Sequence, residues 1–181
     1  MERVLLLAVV TCAAIAQAAE LDELTVARER GIYTTEASFI VAAPVARVRE
    51  LLLDYEQLGD LNPYVKESRI IERDDGRVRV LTRIEDCVVF FCLEMELLQD
   101  VTNEDDGRVS AVIVPNDDFD AGHAVWQFES EGAGTRVIYH SELEPGFFIP
   151  PLIGSLLVKN RLQTQIRTTA ERLETLATEK H

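Results

Sequence analysis

Two cysteines are the side chains whose type and spacing point most clearly to a definite chemistry. Cys87 and Cys92 lie five residues apart. In one extended strand their Cα atoms would be about 16 Å apart, whereas a disulfide needs about 5.5 Å. A bridge therefore requires the chain to reverse within the intervening VVFF. An uninterrupted strand here would also be far longer than usual, which independently favours a reversal. We predict the disulfide, with two buried free thiols as the alternative.

Histidines and clustered carboxylates are the other groups capable of chemistry. His123 stands at a predicted strand start and His140 on the outward face of another strand, so we expect surface histidines rather than acid–base catalysts. Asp117, Asp118 and Asp120 lack the spacing and terminal glutamate of a calcium loop, which predicts a solvated turn. The sequence contains no nucleophile elbow, phosphate loop or zinc-ligand spacing. We therefore predict no catalytic residue, no metal site and no cofactor, and the chain is more consistent with a binding protein than with an enzyme.

Composition limits the classes of partner. The 181 residues are 47% hydrophobic, which suits one domain with a sizeable core. The formal net charge of −14 argues against nucleic acid and against electrostatic capture by anionic lipid. Any contact with a membrane would have to be hydrophobic.

The amino terminus has the organisation of a secretory signal peptide. In MERVLLLAVVTCAAIAQAAELDE a basic start precedes a short apolar run and the small-residue sequence that ends at Ala18. We expect residues 1–18 to be removed near Ala18, with a retained anchor as the alternative. Cys12 follows Val-Val-Thr, a poor lipobox, and would be lost on cleavage. Export to the periplasm or beyond would favour the disulfide.

Beyond this leader, periodicity predicts one α+β domain over residues 31–178. Residues 19–30 form a short lead, which we predict to be helical, and residues 33–43 a strand. A helix opens at Pro44 and a second, short helix ends at Asn62-Pro63. Strands follow at about 66–73, 77–86, 92–102, 108–114, 123–130 and 135–144, joined by connections so short that neighbours must be antiparallel.

The residue pattern also assigns an inner face to the sheet and a cover for it. Apolar and charged residues alternate along the predicted strands, so one face is apolar and the other charged. From about residue 151 to 178 an apolar stripe recurs at helical spacing: Leu162, Ile166, Thr169, Leu173 and Leu176. About seven antiparallel strands should therefore curve around one long C-terminal helix.

This element order resembles a known fold family. Residues 51–71 (LLLDYEQLGDLNPYVKESRII), 134–145 (GTRVIYHSELEP) and 147–154 (FFIPPLIG) are similar to the corresponding stretches of the START-like (SRPBCC) superfamily, in its polyketide cyclase/dehydrase and coenzyme Q-binding subgroup. The resemblance implies the helix-grip fold. It also implies a cavity between sheet and helix for a hydrophobic small molecule.

Inward-facing positions predict the wall of that cavity. The candidate wall residues are Val78, Val80, Thr82, Ile84, Met95, Leu97, Trp126, Phe128, Tyr139, Ser141, Leu143 and Ile166. A dry, filled core is the alternative. Lys159, Asn160 and Arg161 on the last helix are expected to be solvated, with a polar head group as the alternative partner.

Chain order predicts one apolar end of the sheet. Successive turns of a meander alternate between its two ends, which brings the connections VVFF, PNDDFDAG and PGFFIPPLIG together. The candidate portal residues there are Val89, Phe90, Phe91, Phe119, Phe147, Phe148, Ile149 and Ile153. They would form either a portal that contacts a membrane transiently or ordinary packing over the end of the core.

The sequence thus favours an exported, monomeric protein that binds or transfers a lipid, sterol-like or isoprenoid molecule. Two alternatives remain open: an enzyme similar to the aromatase/cyclases, and an interaction module with a filled core that docks another envelope protein. Convergent acid–base groups would indicate the enzyme, and a cavity with an apolar wall would indicate the carrier.

Overall fold

The protein is described here by a computed structural model, which covers residues 20–88, 91–149 and 154–179. The strands are β1 (Glu20–Glu29), β2 (Ile32–Val41), β3 (Val65–Asp74), β4 (Arg77–Val88), β5 (Phe91–Asn103), β6 (Val109–Ile113), β7 (Phe119–Glu131) and β8 (Gly134–Pro145). The helices are α1 (Val45–Leu52), α2 (Leu58–Leu61) and α3 (Gly154–Thr178). All paired strands are antiparallel, in the order β1-β2-β8-β7-β6-β5-β4-β3. The predicted curved sheet with a long C-terminal helix is confirmed, with eight strands.

The helical prediction for the segment before Arg30 is wrong, because this segment is the edge strand β1. Its half-buried side chains, Leu24, Val26 and Arg28, recur at every second position. Strand β2 would otherwise present unpaired backbone groups on its outer edge, and β1 pairs with them. The turn between the two strands uses Arg30 and Gly31, both with positive φ (52° and 98°), as a tight two-residue hairpin requires.

The other strand predictions are confirmed apart from their ends. The largest difference is in β7, which begins at Phe119 rather than near residue 123, so that part of the predicted PNDDFDAG connection is strand. At the first helix, Pro44 is the N-cap rather than the first helical residue. Both helices between β2 and β3 are short, as predicted.

Helix α3 is held to the rest of the fold by its C-terminal half. Leu173 and Ala170 are fully buried against β2, α1 and α2 in one hydrophobic cluster. The residue after Leu173, Glu174, is also buried, and its Oε2 accepts a hydrogen bond of 2.7 Å from the backbone N–H of Ala42. That bond satisfies a backbone donor just beyond the end of β2, where the sheet ladder offers it no acceptor. Within the described ranges, no helix has the length and hydrophobicity that a membrane span requires.

The predicted disulfide is present. Cys87 and Cys92 are directly opposite each other in the β4–β5 ladder and are joined by an S–S bond. Val88 and Phe91 form the next pair, so the chain reverses between them, as the sequence requires. The bridge crosslinks β4 and β5 beside the connection between them.

Replacing Glu174 with Ala should lower the free energy of unfolding by about 1–3 kcal/mol, because a buried backbone N–H would lose its acceptor. Chemical denaturation followed by circular dichroism measures the change. Glu171→Ala is the matched control, since Glu171 is an exposed acidic residue on the same helix and its loss should cost less than about 0.5 kcal/mol. Equal effects from the two substitutions would contradict the assigned role of Glu174.

Candidate functional site

A cavity of about 420 Å³ lies between the inner face of the sheet and the helices. Its floor is formed by β4 to β8, and its roof by the N-terminal half of α3, through Leu162, Ile166 and Thr169. The apolar stripe predicted for α3 is therefore divided between two tasks. Its last positions, Leu173 and Leu176, pack into the core, while its first three face open space.

Small side chains in the middle of the floor make room for the cavity. Ala111 on β6 and Ala124 on β7 are directly paired across the two strands, and both are buried. Around them the floor continues with Val80, Val101 and Val109, which are also buried. Because two neighbouring strands contribute only methyl groups at this point, the helix above cannot close the gap by contact with the floor.

Aromatic side chains form one wall. The rings of Trp126 and Tyr139 are 4.1 Å apart between centroids, on neighbouring positions of β7 and β8. Phe128 continues this wall, and the guanidinium of Arg49 lies 4.9 Å from its ring centroid. Arg49 also donates hydrogen bonds to the backbone oxygen of Gly107 and to Asn103, which ties α1 to the β5–β6 turn. This end of the cavity is closed by packed helices.

Neutral hydroxyl groups are one source of polarity in the wall. The hydroxyls of Thr82 and Ser68 are within hydrogen-bond distance of each other, at 3.4 Å. Burial raises the pKa of the Tyr139 hydroxyl, and a hydrogen bond with Ser141 opposes that shift. Burial likewise raises the pKa of Tyr55, against the effect of nearby Arg49. Both tyrosines are therefore neutral near pH 7 and are suited to hydrogen bonding rather than to proton abstraction.

One ion pair stands at the opposite end of the cavity from α1. Asp86 is buried, and its Oδ1 lies 3.5 Å from Nε of Arg161 on α3. Within the described part of the chain this oxygen has no hydrogen-bond partner. Arg161 also donates a 2.7 Å hydrogen bond to the backbone oxygen of Cys87. The first turns of α3 are thus tied to the disulfide-closed hairpin by one arginine.

Exposed apolar side chains gather at this same end. We call Leu93, Phe148, Leu156 and Leu157 the apolar rim. Phe148 is 83% exposed and Leu156 is 61% exposed, whereas Leu93 and Leu157 are partly covered and also border the cavity. Hydrogen bonds of Asp118 place the segment that carries Phe148 beside β5. The backbone oxygen of Asp118 accepts a hydrogen bond from Gly146 N, and its Oδ2 accepts one from Glu96 N. The segment after β8 is therefore fixed beside β5.

The predicted portal residues differ in burial and in whether they border the cavity. Phe119 and Ile149 are buried and, with Phe147, border the cavity, so these three pack over its end. Phe148, in contrast, points to solvent with most of its surface. Phe91 is the first residue of β5. Val89, Phe90 and Ile153 lie outside the described residues.

The predicted cavity wall coincides with residues that border the cavity, except at one position. Val78 packs beside the floor cluster without bordering the cavity, because β4 has passed the end of the space at that point. The remaining candidates all border it: Val80, Thr82, Ile84, Met95, Leu97, Trp126, Phe128, Tyr139, Ser141, Leu143 and Ile166.

Sequence reasoning missed the contribution of the short helices and of the small floor residues. Leu52, Leu58 and Leu61 close the α1–α2 end, and the apolar run of residues 51–53 is the signal that could have predicted it. Ala111 and Ala124 carry no such signal, since alanine is common on either face. Arg161 was expected to be solvated and instead turns towards the hairpin.

The remaining candidates for chemistry point away from the cavity interior. Alternation along β7 and β8 directs the side chains of His123 and His140 to the outer face of the sheet. His123 still borders the cavity, because a single layer of sheet separates that space from the outer face. Asp118 is half-buried and structural rather than solvated, whereas Asp117 and Asp120 are exposed. No group that could act as a nucleophile with an adjacent base is assembled among the wall residues described above.

Comparison with solved structures finds the same fold. A protein of Thermus thermophilus, TTHA0849, is 25% identical with a TM-score of 0.66, over 80% of this chain and 96% of that one. A STAR-related lipid transfer protein of Xanthomonas axonopodis is 15% identical with a TM-score of 0.63, over 87% and 100%. The Zhui aromatase/cyclase of Streptomyces sp. R1128 is 14% identical with a TM-score of 0.60, over 81% and 91%.

No curated protein sequence matches this chain significantly. A family profile does, over residues 41–173, which run from the end of β2 into the last turns of α3 and include both helices that close the cavity. With its START-like fold, the chain belongs to the family described as polyketide cyclase / dehydrase and lipid transport.

Proposed function

We propose that this protein binds a hydrophobic small molecule, of the lipid, sterol-like or isoprenoid class, in the cavity and transfers it between surfaces. The observation that carries the proposal is the cavity itself, which is lined mainly by aliphatic and aromatic side chains. A bound apolar molecule would make the packing contacts that these wall side chains, held apart by the fold, do not make with one another.

The position of the Asp86–Arg161 ion pair gives the ligand an orientation. The α1–α2 end is closed by Leu58 and Leu61, and the apolar rim end contains Asp86 and Arg161. An apolar body fits the closed end, where burial of its surface contributes about 25 cal/mol per Å². A hydroxyl or other polar head group lies at the rim, beside a carboxylate and a guanidinium that can hydrogen-bond with it.

The apolar rim is the surface through which the ligand enters and leaves. Exposed apolar side chains such as Phe148 and Leu156 lower solubility unless they contact a partner, and insertion of such a side chain into a bilayer contributes on the order of 2 kcal/mol. The net charge of −14 opposes binding to anionic membranes, so neutral lipid surfaces are the expected partner.

Export is part of the proposal. Its support is the basic start, short apolar run and small-residue end of residues 1–18, together with a disulfide between two exposed cysteines. Such a bond persists in an oxidising compartment. The protein would then act as a monomer outside the cytoplasm.

A cyclase-like enzyme is the rival interpretation. Cyclisation of a reactive ketone chain requires an acid and a base that converge on one point of the substrate. The tyrosines of the wall stay neutral, and Asp86 is paired with Arg161 at one end. This arrangement suits recognition of a polar head group better than proton abstraction in the middle of the cavity.

A larger side chain on the cavity floor should weaken ligand binding. Ala111→Phe places a ring in the cavity, and we expect the affinity for a pyrene-labelled fatty acid to fall at least about tenfold, which corresponds to about 1.4 kcal/mol. Fluorescence titration measures the change. Val112→Phe is the matched control, because the neighbouring residue is exposed on the opposite face and should bind like the wild type. Equal affinities of both variants, with melting curves that show folded protein, would refute the cavity as the binding site.

Polar substitution of the apolar rim should slow transfer without emptying the cavity. For Phe148→Ser combined with Leu156→Ser, we expect transfer of the same probe between phosphatidylcholine vesicles to slow at least about tenfold, since about 2 kcal/mol of insertion energy is lost per side chain. Equilibrium binding of the probe should change little. Val112→Ser removes another exposed apolar side chain, outside the rim, and serves as the control. An unchanged transfer rate in the double variant would exclude the rim as the membrane contact.

A further inference from the structure

Two histidines and two glutamates occupy adjacent positions on the outer face of the sheet. We call Glu36, His123, His140 and Glu142 the outer histidine patch. His123 on β7 is directly opposite Glu142 on β8, and His140 on β8 is directly opposite Glu36 on β2. His140 and Glu142 are two residues apart on the same strand and therefore share a face. The patch joins three neighbouring strands, on the side of the sheet away from the cavity.

The side chains of the patch are close enough to share one ion. The rings of His123 and His140 are 5.8 Å apart between centroids. Ligand atoms of His123, His140 and Glu142 all lie within 4.8 Å of one another. Nδ1 of His123 is 3.9 Å from Oε2 of Glu142, and Nδ1 of His140 is 3.8 Å from Oε1 of Glu36.

The patch differs in composition from the rest of the outer face. On other parts of the sheet, several carboxylates are paired with arginines: Arg136 pairs with Asp22 and Glu131, Arg83 with Glu67 and Glu96, and Arg79 with Glu72 and Asp100. In the described ranges, the only ion-pair partners of Glu36 and Glu142 are the two imidazoles. Negative charge is therefore concentrated next to two side chains that become ligands when neutral.

We propose that the outer histidine patch binds a divalent transition-metal ion of the Zn²⁺ type. Two imidazole nitrogens and one carboxylate oxygen are available, from His123, His140 and Glu142. This donor set binds ions of the Zn²⁺ type in preference to Ca²⁺ or Mg²⁺. Ligand bonds of about 2.0–2.2 Å require only rotations about side-chain torsions, which are inexpensive for groups this exposed. Three protein ligands leave one position for water.

Glu36 completes the arrangement as a positioning residue. A metal-binding histidine commonly donates its second ring N–H to a carboxylate, which fixes the ring and its tautomer. Glu36 already lies beside Nδ1 of His140, which leaves Nε2 of that ring for the ion. The bound ion would link β7 to β8 and add stability to the folded state, because the unfolded chain does not assemble the three ligands.

A second group of potential ligands, Glu85, Cys87 and Cys92, is not a competing site. The two sulfur atoms are joined in the disulfide and are not available as thiolates. Sites made of carboxylates alone bind Ca²⁺. An excess of Ca²⁺ therefore blocks non-specific binding of Zn²⁺ to this acidic protein and leaves the proposed site available.

The test is calorimetric titration of the untagged protein with ZnCl₂ in the presence of millimolar CaCl₂. We expect one Zn²⁺ per chain, with an affinity in the micromolar range, and a melting temperature that rises with Zn²⁺. His123→Ala and His140→Ala should each weaken binding at least about tenfold and remove the thermal shift. Glu36→Gln should weaken it less, since it removes a positioning contact.

Two variants serve as controls. His181→Ala removes the third histidine of the chain, and Glu129→Gln removes an exposed carboxylate on the same face of β7. Both should bind Zn²⁺ like the wild type. Absence of binding by the wild type, or unchanged binding in both His123→Ala and His140→Ala, would overturn the proposal.

Discussion

The anchoring of α3 in the hydrophobic core by its C-terminal half, rather than along its whole length, is the constraint that shapes the rest of the structure. Leu173 and Ala170 pack against β2 and the short helices, and the carboxylate of Glu174 accepts the hydrogen bond of Ala42 N. Helix α3 is 25 residues long in all, and the part before this anchor is rigid. The anchor therefore sets the distance between the first turns of the helix and the sheet, whether or not side chains of the sheet are long enough to contact the helix. The sheet floor meets them with alanines, and a cavity results.

The two ends of the cavity are closed by different means. At one end α1 and α2 pack into the core, and Arg49 ties them to the β5–β6 turn. At the other, the closure consists of a connecting segment, the disulfide-bearing hairpin and the contacts of Arg161. Among the described contacts, one hydrogen bond and one ion pair of Arg161 hold the first turns of α3 to the hairpin, whereas opening of the opposite end would disrupt a hydrophobic core. That difference in cost supports the proposal that the ligand exchanges at the apolar rim.

Period-2 alternation made most of the fold predictable from the sequence, because burial on one face leaves a strong signal in each strand. The usual limit on strand length predicted the reversal that brings Cys87 opposite Cys92. Alternation did not reveal β1, whose edge position leaves its side chains only half-buried and its pattern weak. Nor did it distinguish Phe119, which is buried, from Phe148, which is exposed, since both lie near connections at one end. The outer histidine patch was missed for another reason: β8 pairs with β2, which lies far earlier in the chain, and the register that brings Glu36 to His140 is a property of the assembled sheet.

Native mass spectrometry of the protein, purified from the organism that makes it and followed by organic extraction, tests the central claim most directly. The account predicts one lipid, sterol-like or isoprenoid molecule per chain, lost in the Ala111→Phe variant and retained in Val112→Phe. A protein that emerges empty, and that also fails to take up apolar probes, would contradict the binding function and favour a structural or docking role for the apolar rim.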